Sequence, residues 1–310
     1  MIEAAIRDFA LCRSERDFYR LSIQLEDYMT PAEIAALVQR AGELPWPAQG
    51  WLKWLLRTMP LAAERPQAFE RTVINPDVIL YRDPRVGAAR KKLIVAFCGA
   101  RNRLDMPLAA VLQALPSRAV DVAVLRDRSK RHFLDGIDGY ASGFGGLAAA
   151  IERDLRPGKY RDVYAYGTSM GGFSAVRFAL LRPVKRAVAV GGSFPGHARR
   201  LIDEPAPPLP AFDPLCDCIG RGAVADIVCV YGDGCGRDRG NVERLGRILP
   251  VTQVAVPHVS IHNVAHELAM SGRLAAFFAA MFDLDAAPPA VREDWLTLPA
   301  HARVPIVSAA

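Results

Sequence analysis

Lysine is scarce in this 310-residue chain: it occurs six times against a Lys+Arg total of 39, so nearly all the positive charge is arginine. No apolar run approaches the ~20 residues that a membrane-spanning helix needs, so no membrane span is expected. The opening Met1-Ile-Glu-Ala-Ala-Ile-Arg-Asp8 carries early acids and no continuous apolar core. It does not read as a signal peptide, and a cytoplasmic location is expected. Cysteines are few, at 12, 98, 216, 218, 229 and 235. Without a secretory signal they do not read as a disulfide framework. Cys216-Asp-Cys218 has no matching second pair, which argues against zinc, and Cys98 and Cys229 fall in apolar strands as small core residues. The basic residues are not interleaved with aromatics. Their densest run, Arg126-Asp-Arg-Ser-Lys-Arg131, includes an acid, so nucleic acid is not an expected partner. A net charge of +6 suits instead a local basic rim that attracts anionic substrates.

With 51% hydrophobic and 23% charged residues, the chain has material for one large core and a small accessory region. Residues 1–70 read as a helical prefix. Thr30-Pro31-Ala32-Glu33 combines a threonine cap, proline at the first helical position and a glutamate three residues on. Trp51, Trp54, Leu55 and Met59 form an apolar stripe expected to pack. Residues 71–283 alternate strands with helices. The strands are expected at 71–74, 78–82, 92–97, 120–125, 162–166, 187–190, 227–231 and 253–256. Helices are expected at 107–115, 145–155, 172–181, 241–248 and 264–282. Short apolar strands separated by helices predict an α/β fold with a mostly parallel sheet covered on both faces, and ligands at the carboxyl ends of the strands. Residues 194–225, with prolines at 205, 207, 208, 210 and 214 among others, read either as a short lid or as an irregular surface loop. Residues 284–310 read as a tail whose Trp295 and Leu296 pack back on the domain or a partner.

The most informative segment is Val163-Tyr-Ala-Tyr-Gly-Thr-Ser-Met-Gly-Gly172. A bare G-x-S-x-G should occur by chance on the order of 0.1 times in such a chain. Here an apolar strand precedes it and a helix-compatible run follows, the context of a nucleophile elbow. Glycines at 167 and 171 remove side chains that would collide across so sharp a turn. A serine hydroxyl needs a general base and a third group to hold that base, and the chain supplies both in order. Tyr231-Gly-Asp-Gly-Cys-Gly-Arg-Asp238 offers two acids: Asp238 is preferred because the glycine-rich loop carries it past the strand end, with Asp233 the alternative. His262 is preferred as the base because it stands in a loop while Asn263 can cap the next helix; His258 and His266 are the alternatives. Donors for an oxyanion are expected from the N–H groups of Met170 and Ala100, the second on the loop after strand 92–97. Arg101, Arg103, Arg126 and Arg128 follow strands; they read either as an ordinary solvated face or as a lining of the entrance, where Arg101 and Arg126 would bind an anionic substrate group.

With Gly167-Thr-Ser-Met-Gly-Gly172, Phe97-Cys-Gly-Ala100, Gly232…Asp238 and His262-Asn-Val264 in place, residues 72–283 resemble the α/β-hydrolase superfamily. The resemblance implies an eight-stranded sheet, a Ser169–His262–Asp238 triad and no cofactor. The chain departs from the family where Cys98 replaces a common histidine and where the acid loop is unusually rich in glycine. Val124-Leu-Arg-Asp127 and the Phe-Cys-Gly loop are similar to a less characterised bacterial branch, some of whose members lie near surface-polysaccharide pathways. The expected activity is serine-dependent hydrolysis of a small ester or thioester. Two alternatives stand beside it: acyl transfer from the same acyl-enzyme to an alcohol or amine, and a binding or scaffold protein that kept the fold without the reaction.

Overall fold

The computed structural model describes residues 1–58, 65–194 and 225–284. The expected lid, the tail, Met59 and the Cys216–Cys218 pair therefore lie wholly or largely outside the described residues. In chain order the strands are β1 (Glu70–Asn75), β2 (Val78–Arg82), β3 (Lys92–Phe97), β4 (Val120–Leu125), β5 (Gly136–Ile137), β6 (Ala141–Ser142), β7 (Asp162–Thr168), β8 (Arg186–Val190), β9 (Asp226–Gly232) and β10 (Thr252–Val256). Eight of them form one sheet in the order β1-β2-β4-β3-β7-β8-β9-β10. β2 runs antiparallel to β1 and β4, and the remaining neighbours are parallel. This is the α/β-hydrolase fold. β5 and β6 make a small hairpin too short to leave a periodic signal in the sequence.

Alternation along each strand divides the core in two. In β3, Ile94 and Ala96 face one layer while Leu93, Val95 and Phe97 face the other. The second layer holds α6 (Gly143–Leu155), α7 (Met170–Leu181) and α8 (Gly236–Gly246). The first holds α5 (Leu108–Gln113), α9 (Val264–Met270) and α10 (Leu274–Met281) together with the prefix: α1 (Ile2–Leu11), α2 (Glu15–Tyr28), α3 (Pro31–Gln39) and α4 (Trp46–Thr58). Phe9, Met29, Ile34, Leu37, Leu52 and Leu55 sit in the same apolar cluster as the sheet's Ile94 and Val122. The prefix thus extends a layer of the main core.

Local signals account for most boundaries. Thr30 and Glu33 close the expected capping box, Thr30 N–H donating to the Glu33 carboxylate at 2.9 Å and Glu33 N–H to the Thr30 hydroxyl at 3.3 Å. The α4 stripe departs from expectation at Trp54, which is 45% exposed; Leu55 is buried as expected, and Ala48 and Leu52 share the core-facing side with it. The helix expected over 264–282 is two helices. Gly272, at φ 71°, takes a left-handed conformation and Arg273 N–H closes back on Leu268 O at 2.7 Å, a helix-ending turn that favours glycine.

Arginines on or just after sheet strands dock the last two turns of α2, whose final carbonyls lack intrahelical partners and form the negative pole of the helix. Arg71 donates to Tyr28 O at 2.9 Å, Arg126 donates to Asp27 O, and Arg103 donates to Ile23 O at 2.8 Å. The Arg126 guanidinium also stacks 4.5 Å from the Tyr28 ring centroid.

Two glycines separate conformational need from tolerance. Gly272→Ala should destabilise the fold by about 1–2 kcal/mol, the cost of a left-handed alanine. Gly146→Ala, an exposed mid-helix site with no atom within 4 Å of the added methyl, should stabilise it by about 0.5–1 kcal/mol. Urea unfolding of both variants checks the opposite signs.

Candidate active site

β7 ends at Thr168, and α7 begins at Met170. Ser169 makes the whole turn between them, at φ 52° and ψ −118°. A methyl on Gly171 would stand 2.1 Å from Phe97 O and 2.6 Å from Cys98 O, and one on Gly167 would stand 2.1 Å from Gly171 O. The turn is held from several sides: Ser169 N–H donates to Val190 O at 2.8 Å, and Ser169 O accepts from Gly172 N–H at 3.0 Å and Ser193 N–H at 3.1 Å.

Three residues from three strand ends meet there. The Ser169 hydroxyl lies 2.8 Å from His262 Nε2, and His262 Nδ1 lies 2.7 and 2.9 Å from the two Asp238 carboxylate oxygens. Asp238 stands in the first turn of α8 rather than in the preceding loop, and is fully buried. Burial alone would raise its pKa. The hydrogen bond and charge of His262, with Cys235 and Arg237, outweigh that and hold the carboxyl below the ordinary carboxylate range. Asp233 instead accepts the Val259 N–H at 3.3 Å and so ties the end of β9 to the loop that leads to His262. Asn263 caps α9, accepting the His266 N–H at 3.3 Å. His258 is exposed, and His266 pairs with Glu267 at 3.7 Å.

The loop after β3 also reaches the serine, since a methyl on Gly99 would stand 3.2 Å from Ser169 Cβ. Gly99 N–H is committed to Arg103 O at 2.8 Å. Met170 opens α7, so its N–H is among the first-turn donors that the helix itself leaves unsatisfied. Ala100 packs half-buried against the second apolar layer. Cys98 is buried, and burial pushes its thiol up to about 12, the mark of an inert core cysteine.

The arginines expected at the entrance divide. Arg101 is exposed. Arg126 is 3% exposed and turned onto α2, because the prefix covers this strand end; what remains open lines the cavity beside the β5–β6 hairpin rather than the serine. Arg103 pairs with Glu26 and Asp27, and Arg128 with Asp77. A cavity of about 390 Å³ lies beside the β5–β6 hairpin, bounded by Asp77, Arg128, Ser129 and Asp138 among others. It touches none of Ser169, His262 and Asp238.

Asp105 gave no signal in the sequence beyond being an acid between two apolar residues, Leu104 and Met106, both buried. Its main-chain oxygen accepts from Asn263 Nδ2 at 2.9 Å, which ties the β3 loop to the His262 loop. Its carboxyl is raised to about 6, mainly by burial; the charge of His262 and the Thr168 hydroxyl oppose the shift and Asp238 adds to it.

No protein-family model matches the chain, and no curated protein matches it either. Among solved structures, the chain is similar to a dienelactone hydrolase from Anabaena variabilis ATCC 29413, at 15% identity and a TM-score of 0.44, covering 70% of this chain and 98% of that one. It is similar to a 2,6-dihydroxy-pseudo-oxynicotine hydrolase at 12% identity and a TM-score of 0.49, covering 93% and 87%. The siderophore hydrolase EstB from Aspergillus nidulans aligns at 12% identity and a TM-score of 0.44, covering 71% and 98%. The strand order and register described above carry the fold on their own.

The Asp105 shift has a defined sign. The folded state holds this proton to higher pH than the unfolded chain, so stability should fall as pH rises from about 4 to about 6 and stay lower above that window. Asp105→Asn removes the ionisation. Its stability relative to the parent should therefore increase across that window by up to a few kcal/mol, as read by denaturant titrations at pH 4, 5, 6 and 7.

Proposed function

We propose that this protein is a serine hydrolase that cleaves a carboxylic ester or thioester through an acyl-enzyme. The observation that carries the reading is the pair of hydrogen bonds joining Ser169 to His262 and His262 to Asp238. A surface histidine and a turn aspartate have no reason to align on a strained serine. In this reading Ser169 Oγ attacks the substrate carbonyl carbon and its proton passes to His262 Nε2. Asp238, fully buried and ionised, holds the ring with Nδ1–H toward it and stabilises the imidazolium that forms. The carbonyl electron pair moves onto oxygen, where the N–H groups of Met170 and Ala100 receive it. Collapse of the tetrahedral species breaks the bond to the leaving alkoxide or thiolate, which takes the proton from His262. Water then repeats the sequence on the acyl-serine, and the acid is released.

The scheme uses side chains and backbone alone and calls for no cofactor. Arg101, exposed on the loop that carries Ala100, supports an anionic group on the substrate. Gly171, in the first turn of α7 against the end of β3, keeps the nucleophile fixed while the acyl group comes and goes.

Ser169→Ala should abolish turnover of a short p-nitrophenyl ester, and a fluorophosphonate should label Ser169 in the parent. Asp238→Asn should lower kcat by a factor on the order of 10³–10⁴, because the ring loses its enforced tautomer, whereas Asp233→Asn should leave kcat within a few-fold. Ester turnover undiminished in Ser169→Ala would overturn the reading, and equal losses at Asp233 and Asp238 would overturn the assignment of the acid.

A further inference from the structure

Arg103 belongs to the loop that approaches Ser169, yet its side chain is spent on the prefix. Nη1 donates to Glu26 Oε2 at 2.8 Å, Nη2 donates to Ile23 O at 2.8 Å, and Nε pairs with Asp27 Oδ1 at 2.7 Å. Its main-chain oxygen faces the other way. It accepts Gly99 N–H at 2.8 Å and the hydroxyl of Thr168, the residue before Ser169, at 3.4 Å. One residue thus grips the prefix with its side chain and both the β3 loop and the nucleophile strand with its carbonyl. Behind it, the second Glu26 oxygen accepts Trp51 Nε1–H from α4 at 2.7 Å. Both carboxylate oxygens of Glu26 are therefore committed, and the residue is 4% exposed. The seam is tight: the void bounded by Asp27, Asn102, Arg103, Leu104, Met106 and Arg126 is about 10 Å³, room for about one water.

We propose that the prefix is a working part of the site: Glu26, held between Trp51 and Arg103, is a positioning residue that fixes the 99–103 loop and with it the Ala100 N–H. The proposal rests on the hydrolase reading for its chemistry. Burying carboxylates and a guanidinium carries a desolvation cost that an apolar seam would not. What the network supplies is direction: a planar fork with fixed acceptors sets the position of the backbone that bears it. Asn102 carries the strain of that closure, at φ 58°, with its N–H on Gly99 O at 2.9 Å. A strand-end loop is ordinarily mobile; this one is tied through two side chains to two helices of the core layer. Since a displacement of about 1 Å at a reacting group can cost on the order of 10²-fold in rate, the tie bears on kcat rather than on substrate affinity.

The test compares Glu26→Gln, which keeps the shape and the acceptor for Trp51, with Arg103→Lys, which keeps the charge and loses the fork. Trp51→Phe is the mildest variant, and Arg40→Gln, which touches only exposed prefix partners, is the control. Each is measured by p-nitrophenyl ester kinetics and by amide exchange of residues 99–105 in the full chain. The expected result is a kcat fall of about tenfold or more for Glu26→Gln and Arg103→Lys, with KM within about twofold. Faster exchange confined to residues 99–105 and a smaller kcat fall in Trp51→Phe should accompany it. Unchanged exchange in that loop would overturn the proposal, and so would faster exchange with unchanged kcat. If the parent itself fails to react with a fluorophosphonate, the hydrolase reading fails separately; unchanged exchange in Glu26→Gln still overturns the coupling, and faster exchange still upholds it.

Discussion

The site depends on backbones meeting with no side chain between them. Ser169 sits in a conformation that costs a non-glycine residue about 1–3 kcal/mol. It persists because β7, α7 and the end of β3 close on it from three directions. Gly171 is the keystone of that contact: Phe97 O and Cys98 O occupy the space its side chain would fill. The same contact that lets α7 approach β3 also brings the loop after β3 to the serine. Ser169 and the loop after β3 consequently share one packing contact.

The parts of the fold that were legible in the sequence are those governed by local rules. Eight short strands, the Thr30 capping box and the strand–Gly-x-Ser-x-Gly–helix run are each written within a few residues, and each appears where expected. The chain order of serine, acid and histidine was legible too, because the strand order fixes which loops share the carboxyl edge. Asp238 and Asp233 could not be separated in that way. Their distinction lies in where α8 begins: its first turn starts at Gly236 and carries Asp238 inward, while Asp233 turns back to the loop after β10.

What sequence reasoning missed is non-local. Arg103 and Arg126 stand after strand ends, as expected, but the sequence does not say what lies on top of those ends. The covering element is α2, roughly 75–100 residues upstream in the chain. A guanidinium at a strand end reads as a ligand for substrate unless a helix carboxyl terminus is already there to use it. Asp105 was missed for a related reason: its environment is set by residues distant in sequence, Thr168 and His262 opposing the burial that raises its pKa and Asp238 adding to it. Trp54 erred in the opposite direction. Its spacing fits the α4 stripe, but Leu52 and Leu55 fill the contact and leave the indole outside.

The division between lysine and arginine follows from the same geometry. At the amino end of β3 the scarce lysines are buried: Lys91 Nζ pairs with Asp121 at 2.7 Å, and Lys92 Nζ donates to Phe282 O at 2.9 Å, just past the end of α10. There a compact charge suffices to satisfy helix-end carbonyls. At the carboxyl end the loop after β3 must be oriented as well as neutralised, and Arg103 contacts Ile23, Glu26 and Asp27 at once, which a single ammonium could not do with fixed direction. One strand thus anchors the carboxyl ends of two helices of the same layer. The arginine, which carries directional information, stands at the end where Ser169, His262 and Asp238 meet.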